Sequence, residues 1–332
     1  MEERRFSVGE LPLACGEVLE DAEIAYALLG APDAAGGNIV LLPSYFTGTH
    51  ASYASLIGPG RALDPGRYGI VLVDMLGNGR SSSPSNHGRG AGFPLVSIGD
   101  NIRAQHALLT RGLGIERIAL VAGWSLGAMQ ALHWAMQYPA MVERVMAICG
   151  TAYCWPLNQV FLSGVAAALR ADAGFADGTY RAPPVRGLRA FGRAYAGWAY
   201  SAEFFRDALY RSLGFATLES FLEFWEEDHL AHDANDLLAV LGTWRRAAPP
   251  PPAERAAALG AIAARTVLMP CDTDAYFTLA EAALEGAAIP GARMVALHSP
   301  FGHCAGAPGR FAAESDAIER ETRALLAAPC CG

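Results

Sequence analysis

A serine flanked by glycines, entered from a β-branched run and left into a helical one, is an arrangement suited to nucleophilic chemistry. Arg117-Ile118-Ala119-Leu120-Val121 reads as a strand, Gly123-Trp124-Ser125-Leu126-Gly127 as a tight turn, and the stretch from Ser125 to Gln137 as a helix. At such a turn the serine is held in a strained backbone conformation, and Gly123 and Gly127, with Ala122 and Ala128, let strand and helix close on each other. The helix points its N-terminus at the site, which places the Leu126 amide to donate to a developing oxyanion. A serine hydroxyl stays a weak nucleophile until a base takes its proton, and that base needs an acid to orient it. Asp272 and Asp274 follow a predicted strand over 266–269, and His303 follows another over 294–297. Of the eight histidines, His50, His87, His106, His133, His229 and His232 precede both acids, and His298 lies within or at the end of the second strand. His303 is left on a loop beyond it, in the chain order serine, acid, histidine. A second oxyanion donor is expected from the loop Pro43-Ser44-Tyr45-Phe46-Thr47-Gly48-Thr49-His50, with the Phe46 amide as the candidate.

Holding these groups together requires a scaffold whose strand ends converge. Short apolar or β-branched runs at 16–29, 38–42, 68–73, 117–121, 144–148 and 266–269 read as strands, with helical spacing between several of them, as over 98–112. Alternating strand and helix predicts an α/β fold with a mostly parallel central sheet and helices on both faces. Between 155 and 252 the pattern turns helical throughout and rich in aromatics, among them Phe191, Tyr195, Trp198, Tyr200, Phe221, Trp225 and Trp244. The stretch reads as an inserted helical cap, or lid, closed by Pro249-Pro250-Pro251-Pro252. The expected division is thus a core of residues 1–154 and 253–332 with a cap of residues 155–252.

Composition removes several classes of chemistry. The chain has 332 residues, 52% of them apolar, enough for a packed core. A net charge of −8 disfavours nucleic acid as a partner. Every basic residue is arginine, which excludes lysine Schiff bases, pyridoxal phosphate attachment and the P-loop. No apolar signal core or membrane-length apolar run is present, so a cytoplasmic protein with no membrane association is expected. Seven cysteines, Cys15, Cys149, Cys154, Cys271, Cys304, Cys330 and Cys331, lack disulfide or metal-knuckle spacing and read as reduced thiols. His229 and His232 are spaced like helix metal ligands but lack a third, so no metal is expected and both read as cap surface.

Further stretches carry a family likeness. Ile57-Gly58-Pro59-Gly60-Arg61-Ala62-Leu63-Asp64, Asp100-Asn101-Ile102-Arg103-Ala104-Gln105, Gly127-Ala128-Met129-Gln130-Ala131-Leu132 and Leu218-Glu219-Ser220-Phe221-Leu222 resemble the homoserine O-acetyltransferase family of the α/β-hydrolase superfamily. The resemblance implies the α/β-hydrolase fold, an acylated Ser125, Asp274 rather than Asp272 as the acid, and His303 as general base. It also implies ping-pong acyl transfer beneath the cap, with acyl-CoA as donor, and a homodimer formed through the cap. Two positions depart from the family. Cys304 replaces the aspartate that follows the catalytic histidine, and Gly192, one residue before Arg193, aligns with the arginine that meets the homoserine carboxylate. Without those charges homoserine is not the expected acceptor, and the chain is closer to the esterase-like branch.

The expectation is therefore a serine enzyme hydrolysing a small carboxylic ester through an acyl-enzyme, without a cofactor. The alternatives are an O-acyltransferase using acyl-CoA and another alcohol, and a lyase eliminating a carboxylate such as acetate. For transfer, Arg181, Arg186, Arg189, Arg193, Arg206 and Arg211 are candidates to meet CoA phosphates. Trp124, Cys304, Tyr45 and Arg193 are the substrate-pocket candidates, and Cys271, like Cys304, reads as pocket lining rather than as a nucleophile.

Overall fold

The computed structural model describes residues 1–33 and 36–329, so Cys330 and Cys331 lie outside the described residues. Among the described residues eight strands form one sheet: β1 (Arg4–Pro12), β2 (Val18–Leu29), β3 (Ile39–Pro43), β4 (Gly69–Val73), β5 (Leu120–Trp124), β6 (Arg144–Ile148), β7 (Arg265–Met269) and β8 (Arg293–Met294). Their order is β1-β2-β4-β3-β5-β6-β7-β8, antiparallel at the β1–β2 and β2–β4 pairings and parallel from β4 onward. The strands β3, β4 and β6 are buried along their whole length, as parallel strands covered on both faces must be.

Three strand expectations shift. β1 escaped the sequence reading because Arg4, Arg5 and Glu10 break its apolar pattern, although it pairs with β2 over most of its length. The fifth strand starts at Leu120, because Ile118 makes only an isolated bridge to Val142. The last one shrinks to Arg293–Met294, with Leu297 bridging Cys271 alone.

Ten α-helices of the described residues accompany the sheet: α1 (Ile98–Ala107), α2 (Leu126–Gln137), α3 (Pro156–Arg170), α4 (Val185–Ala199), α5 (Ala202–Arg206), α6 (Leu218–His229), α7 (Ala234–Arg246), α8 (Pro252–Gly260), α9 (Leu279–Gly286) and α10 (Ala312–Ala327). Helices α3 to α7 follow one another between β6 and β8's neighbour β7 without an intervening strand. Proline opens both α3 and α8, where its missing N–H costs no helical hydrogen bond. Among the described residues no helix is long and apolar enough to cross a membrane.

Buried polar contacts fix this helical segment over the sheet. Glu285 of α9, 1% exposed, accepts from the Ala152 and Tyr153 amides and from the Trp155 indole N–H, which sets where the chain leaves β6 for α3. Burial pushes the Glu285 carboxyl up to about 7. Asp236 of α7 accepts from the Ser85 amide and hydroxyl, tying the segment to the loop that follows β4. At the other side the Ser201 hydroxyl donates to the Pro300 carbonyl, just before the histidine loop.

Candidate active site

Ser125 stands between β5 and α2 with φ of 59° and ψ of −125°, a conformation that costs a residue with a side chain about 1–3 kcal/mol. Its neighbours explain why the chain accepts that cost. A Cβ on Gly123 would lie 2.3 Å from the Gly127 carbonyl carbon, and one on Gly127 would lie 2.6 Å from the Tyr53 hydroxyl and 2.7 Å from the Pro43 carbonyl. Only glycine permits this approach of strand, helix and the loop after β3. The Ser125 amide donates to the Ile148 carbonyl at 2.9 Å, which anchors the turn to β6.

His303 lies beside this turn. Its ring stacks on Trp124 with centroids 5.0 Å apart, and the Trp124 indole N–H donates to the His303 carbonyl. His303 Nδ1 is 2.7 Å from Asp274 Oδ2, and the two side chains are 3% and 0% exposed. The other Asp274 oxygen accepts from the Tyr276 and Phe277 amides. Since a carboxylate only accepts, Nδ1 carries the proton and Nε2 presents its lone pair, with no partner among the described residues. Asp272 is elsewhere: it pairs at 2.8 Å with exposed His298.

Ser125, His303, Phe46, Tyr45, Trp124 and Cys304 line one cavity of about 480 Å³. Phe46 is held by stacking on Tyr195 at 5.6 Å with the ring planes 2° apart, and its loop is fixed from several sides. The Ser44 carbonyl accepts from Gln130 of α2, the His50 amide and ring pair with Asp74, and Thr47 turns the loop at φ of 63°. Tyr53 joins the two halves, because its buried hydroxyl donates to the Pro43 carbonyl and accepts from the Trp124 amide. The Leu126 amide, at the first turn of α2, and the Phe46 amide thus belong to segments locked to each other. The Cys304 thiol is pushed up to about 11 by burial, which leaves it neutral pocket lining.

Arg193 is a correction. It does not line the cavity; its guanidinium is committed to Glu219 and Glu226 on the outer side of α4 and α6. The helix turns roughly 100° per residue, so when Gly192 faces inward, 2.9 Å from His229 Nδ1 by its would-be Cβ, Arg193 faces out. Arg189 and Arg206, offered for CoA phosphates, are likewise paired, with Glu226, Glu227 and Asp207. His229 and His232 are the second correction: both line the cavity, and His229 is 2% exposed. His229 sits there because Phe221, Trp225 and His229 recur every four residues on one inward stripe of α6, and His232 follows the end of that helix. Tyr53 and Tyr276 also belong to the site and were not singled out for it by sequence, while Tyr195 enters it from the aromatic-rich helical stretch. Among the described residues no group of His, Cys, Asp or Glu is arranged to hold a metal ion.

Comparison with known proteins shows the family. The model of the alpha/beta hydrolase fold family matches residues 37–296. An ethyl acetate hydrolase of Pseudomonas veronii is 36% identical, over 97% of this chain and 95% of its own. The crystal structure of the acetyl esterase MekB superposes with a TM-score of 0.95 at 36% identity, covering 99% of this chain and 97% of the other. A homoserine O-acetyltransferase of Chlorobium chlorochromatii is 36% identical over 53% of this chain and 52% of its own, so that likeness in sequence spans about half of each chain. By fold, by sequence and by the branch in which its relatives fall, the chain belongs to the α/β-hydrolase fold family, among esterases akin to the homoserine O-acetyltransferases.

Proposed function

We propose that the protein is a cytoplasmic serine hydrolase that cleaves a small carboxylic ester, with Ser125 as nucleophile, His303 as general base and acid, and Asp274 as the orienting acid. The observation that carries this is the strained Ser125 turn sharing a cavity with a buried His303–Asp274 pair whose Nε2 is free. The relatives named for ethyl acetate and acetyl ester hydrolysis support water as the acceptor. Cys15, Cys149, Cys154, Cys271 and Cys304 are free thiols, in keeping with a reducing compartment.

In the first half-reaction Ser125 Oγ attacks the ester carbonyl as its proton passes to His303 Nε2. The Asp274 carboxylate stabilises the imidazolium so formed. Negative charge on the carbonyl oxygen meets the Leu126 and Phe46 amides, each donor in such a hole being worth about 2.7–4 kcal/mol. His303 then returns its proton to the departing alcohol. Water enters, is deprotonated by the same nitrogen, and releases the acid from Ser125. Residues 155–252 act as the cap over this cavity, supplying Tyr195, Trp225 and His229 to its wall. We place the contact between two subunits on the same cap, where Leu157 and Val160 of α3 expose apolar side chains.

Heavy-oxygen water gives the test. With ethyl acetate as probe, the released acetate should carry the label and the ethanol should not; unlabelled acetate would refute acyl-oxygen cleavage by water and favour elimination, and no acetate with a new ester formed would favour transfer.

Tyr53→Phe tests the lock between the oxyanion segments. Losing the hydroxyl leaves the Pro43 carbonyl and the Trp124 amide unpaired, a cost of about 1–3 kcal/mol. The expected result is a kcat lower by about tenfold with KM little changed, measured by steady-state kinetics. A KM effect alone would show that Tyr53 shapes binding instead.

A further inference from the structure

His229 is a buried polar group of the cavity that the proposed chemistry leaves unused. Its Nδ1 is 2.9 Å from the Trp225 carbonyl one helical turn back. A carbonyl oxygen only accepts, so Nδ1 must carry the hydrogen and, in the neutral ring, Nε2 is a bare acceptor. Burial lowers the tendency of this imidazole to take a second proton, which keeps it in that form. No protein group hydrogen-bonds Nε2 among the described residues, and the residue, 2% exposed, lines the same cavity as Ser125.

The surroundings narrow what the acceptor is for. Trp225 lies beside it, ring centroids 5.8 Å apart, and its buried indole N–H has no acceptor among the described residues. A bare acceptor in the cavity wall and an unpaired, buried donor beside it suit a group that both donates and accepts, which is the property of a hydroxyl. A carboxylate has no proton to give the bare His229 Nε2, and an ammonium has no lone pair to accept the Trp225 N–H. Guanidinium recognition from α4 is closed at this point as well, because a side chain on Gly192 would run into the Trp225 carbonyl at 2.3 Å and the His229 ring at 2.9 Å. Tyr195 and Tyr276 link this end of the cavity to the reacting end: Tyr195 contacts His229 at 6.0 Å between centroids, and Tyr276 contacts His303 at 4.5 Å.

We infer that His229 Nε2, with the Trp225 indole N–H, forms a subsite for a hydroxyl carried by the substrate at a distance from its ester group. The inference rests on the ester hydrolase reading and adds to it a substrate class: hydroxylated esters, such as monoesters of diols, rather than plain alkyl esters. A site built around a substrate hydroxyl discriminates against the analogue that lacks it, because its polar groups are then left unpaired.

The test compares ω-hydroxyalkyl acetates with alkyl acetates of the same two, four or six carbons, reading kcat/KM from acetate release. At the chain length that spans the cavity the hydroxylated ester is expected to be favoured by about threefold to tenfold or more. In His229→Phe, which keeps an aromatic ring against Phe191, Tyr195 and Trp225, that ratio should fall to about one. His229→Leu gives the same reading should the larger ring disturb the stripe. Wild-type protein that cleaves both series with no hydroxyl preference at any length would overturn the subsite alone. A preference that survives both variants would also overturn it. Failure to release acetate from either series would instead refute the hydrolase reading on which the subsite depends.

Discussion

Ser125→Ala is expected to lower kcat for ester cleavage by on the order of 10⁵–10⁶-fold, the scale set by removal of a nucleophile in a serine–histidine–acid unit. The substitution keeps the Cβ and the backbone path of the turn, so its melting temperature should stay close to that of the parent. Ser125→Gly should be equally inactive yet more stable. At φ of 59° the serine side chain works against the turn, and glycine relieves a strain of about 1–3 kcal/mol. Thermal unfolding followed by circular dichroism reads this directly. A glycine variant less stable than wild type would show that the turn stores no such strain.

Asp274→Asn carries the second large effect, and its contrast with Asp272→Asn identifies the acid. The asparagine oxygen can still accept from the Tyr276 and Phe277 amides, so the loop should hold. What changes is the partner of His303 Nδ1: an amide neither fixes the needed tautomer nor stabilises the imidazolium, and kcat is expected to fall about 10⁴-fold. Asp272 is bound to a histidine whose side chain is 83% exposed, and such surface pairs contribute about 0–1 kcal/mol. Its asparagine variant should keep kcat within a few-fold of wild type. Equal losses in the two variants would overturn the assignment of the acid.

What the sequence disclosed of the site is what local pattern and chain order can carry. The elbow around Ser125 was legible because strand, glycines and helix are contiguous, and the helix α2 that follows it begins one residue after the serine. His303 was legible by elimination along the chain. Choosing Asp274 over Asp272 needed the family resemblance, because two residues of separation place both beyond the same strand. Contacts between distant segments were not legible: nothing near Tyr53 indicates that its hydroxyl will meet the Trp124 amide 71 positions later. The cap misled in both directions for one geometric reason. A helix face is decided by a single residue of phase, so Arg193 turned outward where Gly192 turned inward. His229 was judged by its spacing to His232 when its spacing to Phe221 and Trp225 set its face. Edge strands were the weakest part of the fold reading, since charged residues such as Arg4 and Arg5 blunt an edge and erase the alternation by which a strand is recognised.

A covalent acyl-enzyme on Ser125 that water resolves is the intermediate the proposed reaction requires. It is met most directly by rapid-quench reaction of p-nitrophenyl acetate with enzyme at high concentration, following p-nitrophenolate and mapping the acetyl group by peptide mass. An initial release near one equivalent, acetyl on Ser125, and then steady turnover are expected, all absent in Ser125→Ala. A release that stalls after the first equivalent, or an acetyl group carried on another residue, would contradict it.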